Sequence, residues 1–318
     1  MNDKNMATIR PFRGIRYDES LVGDLSTVIC PPYDIISPQL QQELYHHNKY
    51  NFIRLELSRE LPQDTLTSNK YMRSAATLEQ WLKEGILKTD KAPALYLHDH
   101  HFNYQAHNYR RRGLIICVRL ETWGKGEIHP HEGTLPEPKG DRESLLWACQ
   151  INTSPILGLF QDHDQKVSAL LSTQEKNQPV ISLNNTTEDN HYVWAITDNE
   201  IINRICLALT GKQIYIADGH HRYESALSYQ QKRHTCSQAI SGEEAFNFAL
   251  MTLTDFADPG LIILPPHRLV RGITKSTIDE LTTKLNSFFE IEEYPISMPN
   301  IWPQNDDLLN GETDQIKL

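Results

Sequence analysis

The stretch that most constrains the fold is residues 213–231, where an apolar segment passes through a single glycine into a helical pattern. Residues 213–217 have the β-branched and aromatic character of a short buried strand, and residues 221–231 have the pattern of a helix. Asp218-Gly219-His220-His221-Arg222 lies between them. A strand, a glycine turn and a helix start bring free backbone N–H groups and the positive end of a helix dipole to one place. The stretch therefore predicts a nucleotide-phosphate site at a strand–helix junction.

The residues of this junction have distinct chemical uses. Arg222 adds a fixed cation, Gly219 lets a ligand approach the backbone, and Asp218 can accept a proton or hold a metal ion that also contacts phosphate. Structural alternatives stay open, because Asp218 could cap the following helix, and His220 and His221 could be histidines satisfied by internal hydrogen bonds. A structural zinc site is disfavoured, because no Cys-x-x-Cys pair accompanies the histidines.

Composition narrows the class of protein. A chain of 318 residues has room for two domains or one large one, and its net charge of -10 argues against wholesale nucleic-acid binding. Five widely spaced cysteines indicate free thiols in a reducing compartment. No apolar run approaches the length of a membrane span, and residues 1–10 lack the apolar region of a signal peptide. We therefore expect a soluble, cytoplasmic protein with no membrane and no nucleic-acid partner; its oligomeric state is left open.

The periodicity of apolar residues predicts a mixed fold of class α+β (mixed α/β). Predicted strands cover residues 28–30, 51–57, 94–105, 110–121, 156–160, 194–196, 213–217, 248–253 and 261–264. Predicted helices begin at Ser37-Pro38 and cover residues 70–84, 143–150, 198–210, 221–231, 243–248 and 276–289. We divide the chain into an N-terminal α/β region (1–125), a core that carries the charged motifs (126–270), and a C-terminal helix with a polar tail (271–318).

Residues 128–142 form a second dense patch, predicted as a loop that leads into helix 143–150. The segment is rich in proline and glycine, yet it carries His131, Glu132, Lys139, Asp141 and Arg142. Matched charges of this kind favour a site over a plain solvated loop. The alternative is an exposed, salt-bridged loop with Asp141 in the first turn of the helix.

A third polar group lies on the predicted strand 94–105, which contains His98, Asp99, His100 and His101. Alternate residues of a strand face opposite ways, so only His98 and His100 share a face. We therefore interpret them as solvent-facing histidines of an edge hairpin, in preference to metal ligands.

Several blocks, in order, resemble the bacterial and archaeal proteins grouped as domain of unknown function 1015, over about residues 8–270. The blocks are Pro31-Pro32-Tyr33-Asp34, 131–135, 138–142, Asn152-Thr153-Ser154-Pro155, 216–224 and 258–268. Members of that family usually continue further and close with a Met-Pro-x-Lys-Ser-Thr-like segment. The chain ends at Leu318 without it, so we expect either a truncated or a divergent member of the family.

The Asp218–Arg222 block is also similar to the signature of the ParB/sulfiredoxin-like fold, whose members include kinases of free serine. Those kinases carry a His-Glu pair upstream, which matches His131-Glu132 at a longer separation. The resemblance implies a ParB/sulfiredoxin-like nucleotide-binding core with added N-terminal strands and helices. Its residues would be Glu132 as general base, Asp218 as Mg²⁺ ligand or second base, Gly219, His220, His221, Arg222, Lys139 and Arg142 as phosphate contacts, and Tyr33, Asp34, His131 and His267 as candidate substrate contacts.

Three functions are compatible with this resemblance. The first is a phosphotransferase that uses ATP or ADP with Mg²⁺ on a small hydroxy compound such as L-serine. The second is a regulatory module that binds or hydrolyses a nucleotide without an acceptor. The third is a metal-dependent hydrolase that uses His131, Glu132, Asp218 and His220.

Overall fold

The computed structural model describes residues 9–184, 189–236, 241–264 and 272–291. The strands are β1 (Ile9–Arg10), β2 (Ile15–Tyr17), β3 (Leu87–Thr89), β4 (Leu95–Tyr104), β5 (His107–Arg119), β6 (Ile128–His129), β7 (Ile156–Phe160), β8 (Ile181–Asn184), β9 (Asn190–Ile196), β10 (Ile214–Asp218) and β11 (Phe248–Asp255). The helices are α1 (Glu19–Val22), α2 (Pro38–His47), α3 (Ile53–Glu56), α4 (Lys70–Lys83), α5 (Pro136–Cys149), α6 (Lys166–Ser172), α7 (Asn199–Leu209), α8 (His220–Cys236) and α9 (Lys275–Leu285). The mixed α/β class is confirmed.

The chain divides into two compact units, Met1–Leu261 and Ile262–Leu318. Of the elements described, α9 alone belongs to the second unit. It begins after Thr274, whose hydroxyl accepts the amide N–H of Thr277. Within the described residues, no helix is long and apolar enough to cross a membrane.

One large mixed sheet organises the first unit. Its strand order is β6-β10-β7-β11-β5-β4-β9-β8, and β1 pairs with the end of β5. β7 runs parallel to β11 and antiparallel to β10, whereas β11 and β5 are antiparallel. The sheet takes strands from both sides of residue 125, so the division predicted there separates stretches of sequence that pack in one sheet.

The two faces of the sheet have different surroundings, as the two-residue period of a strand requires. On one face, side chains such as Leu114 and Met251 are fully buried, in a core that also contains Val167 of α6 and Ile205 of α7. A second core packs the N-terminal helices α3 and α4 against α5. The opposite face of β5 and β11 lines a cavity that is also bounded by residues 29–33.

The cap predicted at Ser37 is confirmed, and α7 begins at a similar cap. The hydroxyl of Ser37 accepts the amide of Leu40 ahead of Pro38, and the carboxylate of Asp198 accepts two amides at the start of α7. The predicted hairpin 94–105/110–121 is confirmed as the β4–β5 pair.

Two predicted N-terminal strands were wrong, and one buried side chain explains both. Residues 51–57 contain the short helix α3, and residues 28–30 form no strand. The amide group of Asn51, which is fully buried, donates to the carbonyls of Thr27 and Ile29 and accepts the N–H of Ile53. These hydrogen bonds occupy backbone carbonyl and N–H groups that would have paired with a neighbouring strand if the two segments had formed a sheet.

Three other boundaries also differ from the prediction. α5 begins at Pro136, ahead of the predicted start at residue 143. Prolines are tolerated in the first turn of a helix because the N–H that they lack would have no partner there in any case. Residues 243–248 contain only a short 3₁₀ turn, Ala245–Asn247, and residues 261–264 form no strand.

The histidines of β4 do not lie on an edge, because β9 pairs with β4 on the side away from β5. His98 Nε2 lies 3.0 Å from His191 Nδ1, and the rings of His100 and His191 stack at 4.2 Å. Burial, the neighbouring histidines and the charge of Arg111 lower the pKa of His98 to about 3 and that of His191 to about 4. The interpretation as solvent-facing histidines was therefore wrong, since β9 covers them.

This cluster predicts a loss of stability in acid. The pKa values of His98 and His191 lie below the ordinary value of 6.5, so the unfolded chain binds more protons than the folded chain between pH 6.5 and 4. The free energy of unfolding should fall as the pH drops through this window, by up to several kcal/mol for the two histidines together, because each unit of pKa shift corresponds to about 1.4 kcal/mol. We expect His98→Gln to flatten that pH dependence in denaturant titrations, while a control change of the exposed His47 to Gln leaves it as in the wild type. Equal slopes for His98→Gln and wild type would contradict this assignment.

Candidate functional site

The junction of β10 and α8 is built as the sequence predicts, around Gly219. Its φ of 94° lies in the left-handed region that favours glycine, and its carbonyl accepts the amide of Tyr223 in the first turn of α8. A Cβ at this position would lie 2.9–3.0 Å from the guanidinium of Arg222. The backbone therefore turns tightly while the arginine side chain folds back over it, and the first amides of α8 have no intrahelical acceptor.

Asp218 and Arg222 form an ion pair across this turn. Arg222 Nη2 lies 2.5 Å from Asp218 Oδ2, and Arg222 Nη1 also donates to the carbonyl of Pro155. The Asp218 side chain is 63% exposed, whereas that of Arg222 is 18% exposed. Arg222 thus joins the start of α8 to residues 154–155, and the carboxylate of Asp218 stays accessible.

The two histidines of the motif hold the loop of residues 131–135. His220 Nε2 accepts the backbone N–H of His131 at 3.2 Å, and His221 Nε2 accepts that of Leu135 at 3.1 Å. An imidazole nitrogen that accepts an N–H has no proton of its own, so in each neutral ring the proton is on Nδ1. Burial and then the charge of His131 lower the pKa of His220, which keeps that ring neutral. The phosphate contacts expected of both histidines would come from Nδ1, because Nε2 is engaged.

Glu132 lies beside the buried ring of His220. Its Oε1 is 3.1 Å from His220 Nδ1, in a geometry that is not linear enough for a full hydrogen bond. His220 is 1% exposed and the Glu132 side chain is 56% exposed, so the carboxylate faces solvent at the edge of the junction. His131 donates from Nδ1 to the carbonyl of Ile216 at 2.7 Å, which leaves a lone pair on its Nε2.

His131, Glu132 and His220 are the one group of the described residues that could hold a metal ion, with ligand atoms within 4.8 Å of one another. Because His220 Nε2 is occupied and Nδ1 carries the proton, His220 offers no lone pair in this state. Mg²⁺ prefers carboxylate oxygens, and the accessible carboxylates here are those of Glu132 and Asp218. The donor set therefore fits Mg²⁺ at Asp218 better than a nitrogen-bound transition metal.

The two basic residues expected to neutralise phosphate are engaged elsewhere. Lys139 Nζ lies 3.3 Å from Glu224 Oε2. Arg142 is buried, with Glu56 Oε1 at 3.1 Å and Asp141 Oδ2 at 2.5 Å, and its guanidinium lies over the ring of Tyr33. Arg142 shares a small pocket of about 40 Å³ with Arg222, but neither Lys139 nor Arg142 lines the larger cavity next to Arg222.

That cavity has a volume of about 590 Å³ and lies between the sheet and residues 29–33. Tyr33 contributes to its wall, and burial raises the pKa of the phenol. The charged or histidine side chains that line it are Glu56, His98, Arg111, Asp218 and Arg222. Three polar atoms of its wall residues are buried without a hydrogen-bond partner: Glu56 Oε2, Arg222 Nε and Thr254 Oγ1. Cavities of this volume are typical of small-molecule sites.

Sequence reasoning missed Glu56, Arg111 and Thr254 as cavity residues. Glu56 fell within a segment interpreted as a strand, and the other two occur in strands with no motif around them. The alternation of side chains along β5 and β11 could have identified them, since it places Arg111 and Thr254 on the face opposite the apolar core. Of the predicted substrate contacts, Asp34 is exposed and does not line the cavity, and His267 lies outside the described residues.

A comparison with known families identifies the chain at the level of its family. The family model described as "Protein of unknown function (DUF1015)" matches residues 9–310. The chain belongs to this family. No curated protein and no solved structure shows significant similarity to it.

The blocks on which the resemblance depends occupy two places in this family member. Residues 31–33, 153–155 and 218–222 meet at the cavity. The Asp258-Pro259-Gly260 turn instead supports β5, because Asp258 accepts the amides of Arg112 and Gly260. The first place is the candidate site, and the second positions a strand that lines it.

The roles of the two nitrogens of His220 can be separated by substitution. His220→Gln keeps an acceptor near the position of Nε2, whereas His220→Asn keeps a donor near Nδ1 and loses the acceptor for the His131 amide. We expect the His131 amide to exchange hydrogen about ten-fold faster or more in His220→Asn than in His220→Gln, as loss of a net hydrogen bond predicts. Hydrogen exchange followed by NMR measures this. Equal exchange rates in the two variants would contradict the hydrogen bond from the His131 amide to His220 Nε2.

Proposed function

We propose that this DUF1015 member transfers a phosphoryl group from ATP or ADP to the hydroxyl of a small acceptor, of which L-serine is the first candidate. The observation that carries the proposal is the cavity of about 590 Å³ that reaches the β10–α8 junction at Asp218 and Arg222. Glu132 lies beside His220 at the start of α8. We further propose that β10, α8 and the strands beside them form a ParB/sulfiredoxin-like nucleotide-binding core.

The junction has the groups that a phosphate chain needs. The amides at the start of α8 point out of the helix end with the positive end of its dipole, and Arg222 is fixed beside them by Asp218 and Pro155. The left-handed turn at Gly219 removes the side chain that would separate a phosphate from these donors. Positioning and charge neutralisation of this kind account for most of the catalysis of phosphoryl transfer.

Glu132 is the general base in this proposal. Its carboxylate takes the proton of the acceptor hydroxyl as the oxygen bonds to the terminal phosphorus and the bond from phosphorus to the nucleotide oxygen breaks. The proton then leaves to solvent from the exposed carboxylate. The neutral His220 ring lies with Nδ1 3.1 Å from Glu132 Oε1 and adds no competing base.

Asp218 would hold Mg²⁺, which neutralises phosphate charge when it is bound. Its accessible carboxylate fits this role, because Mg²⁺ takes few protein ligands and completes its shell with phosphate oxygens and water. Binding would then weaken the Asp218–Arg222 pair and turn the guanidinium of Arg222 toward the phosphate.

The group of His131, Glu132 and His220 favours one second candidate, a metal-dependent hydrolase. That function requires His220 to exchange its hydrogen bond with the His131 amide for a metal bond. A stoichiometric transition metal in the purified protein, lost in His131→Ala, would select this candidate over the kinase.

The proposal predicts different defects for two substitutions. Glu132→Gln should lower kcat roughly 100- to 10,000-fold and leave nucleotide affinity near that of the wild type, because it removes a proton acceptor and no phosphate contact. Arg222→Met should weaken ATP and ADP binding about 10- to 100-fold, because it removes a charged donor. Calorimetry with Mg²⁺ and nucleotide, followed by product assay with L-serine and other hydroxy compounds, measures both.

Two exposed residues of α7 provide matched controls, Glu200→Gln and Arg204→Met, which should behave as wild type. Nucleotide binding without transfer to any acceptor tested would favour the regulatory module. A folded wild type that binds neither ATP nor ADP would refute both nucleotide functions.

A further inference from the structure

Arg111 is a cation of the cavity wall without a neutralising partner. Its guanidinium makes no ion pair and donates no hydrogen bond to any residue that the structure describes, whereas Arg110 and Arg112 on either side both pair with carboxylates. The other charged residues of the wall are balanced, Glu56 by Arg142 and Asp218 by Arg222. Both carboxylates of the wall thus have arginine partners, and Arg111 is the wall cation that lacks a carboxylate partner among the described residues.

The backbone of Arg111 is held firmly in place. β5 is paired with β4 on one side and with β11 on the other, and His100 is the register partner of Arg111. The close approach of Gly260 to the backbone of Arg110 and Arg111 leaves no space for a Cβ at that glycine. The direction of the Arg111 side chain is thus set by the sheet, on the face that lines the cavity.

The side chains around Arg111 supply hydrogen bonds but little negative charge. Thr254 lines the same cavity and is 1% exposed, and its Oγ1 has no partner. Gly113 lies between them, and a Cβ there would contact the Thr252 side chain, so only glycine leaves this part of the cavity open. The histidines nearest to Arg111 are neutral, in part because of its charge.

We propose that Arg111 and Thr254 form an anion subsite that binds a carboxylate or phosphate group of the ligand. Across β7 and β11, the register sets Ile115 of β5 about 14 Å from Asp218, and Arg111 lies four residues further along the strand, so the two backbones are roughly 19 Å apart. The identity of the anion rests on the proposed function. A nucleotide is long enough to span the distance from the junction to Arg111, whereas L-serine with its hydroxyl at Glu132 is too short to place its carboxylate there, so the subsite binds an anionic group of the nucleotide.

The test compares Arg111→Gln with Arg110→Gln, a neighbouring arginine on the opposite face of β5 that is 44% exposed. Calorimetry measures the binding of L-serine, of serinol, which lacks the carboxylate, and of ATP and ADP with Mg²⁺. Arg111→Gln should weaken the binding of ATP or ADP about 10- to 100-fold and leave L-serine and serinol unchanged, because L-serine at the junction does not reach Arg111. Arg111→Lys should restore part of the loss.

The outcomes separate this inference from the proposed function. Inorganic phosphate serves as the probe if neither L-serine nor a nucleotide binds, and an Arg111-dependent affinity for it would support the subsite even in a protein without phosphotransferase activity. Wild-type affinities in Arg111→Gln for every ligand that binds, with phosphotransfer intact, would refute the subsite and leave the kinase proposal standing. Since Arg111 has no described partner, we expect Arg111→Gln to keep the melting temperature of the wild type, which excludes unfolding as the cause of a loss.

Discussion

The site depends first on the alternation of side chains along β5 and β11. Leu114 and Leu253 point into the apolar core with almost no exposure, so the residues beside them must point to the opposite face. That face carries Gly113, Thr254 and the other residues of the cavity floor. A slip of one residue in either strand would exchange the two sets and bury polar groups in the core. Burial of the core therefore fixes the positions of the cavity side chains without any contribution from a ligand.

Both carboxylates of the cavity wall are neutralised by arginines in the absence of a ligand. Glu56 is buried against Arg142, and Asp218 lies against Arg222. Buried charges must be paired because removal from water costs several kcal/mol for each ion. The buried pair is costly to separate, so Arg142 is better suited to hold Glu56 and the N-terminal segment than to follow a phosphate. The exposed pair of Asp218 and Arg222 can open at lower cost, which makes that end of the cavity the adaptable one.

Sequence reasoning succeeded where the controlling interactions are local and failed where they are distant. The β10–α8 junction was predicted because Gly219 and the residues beside it contain the whole turn. Residues 51–57 were misassigned because Asn51 forms its hydrogen bonds with Thr27 and Ile29, more than twenty residues away. The placement of the β4 histidines on an edge failed for a similar reason, since β9 is distant in sequence. The cavity itself could not be predicted from the sequence, because its residues come from segments with no shared motif.

His220 and His221 hold the loop of residues 131–135, and this explains how the exposed carboxylate of Glu132 is positioned beside the buried ring of His220. The loop of residues 131–135 is held to β10 and α8 by polar bonds, including those to His220, His221 and the Ile216 carbonyl. Such bonds contribute about 1 kcal/mol each, so together they hold Glu132 beside His220 while a single one can break without unfolding the sheet. In the proposed reaction, the histidines of the motif would thus act through the position of Glu132 as much as through any contact with phosphate. Loss of one of these hydrogen bonds should for that reason impair proton transfer before it impairs nucleotide binding, which a role confined to phosphate contacts would not produce.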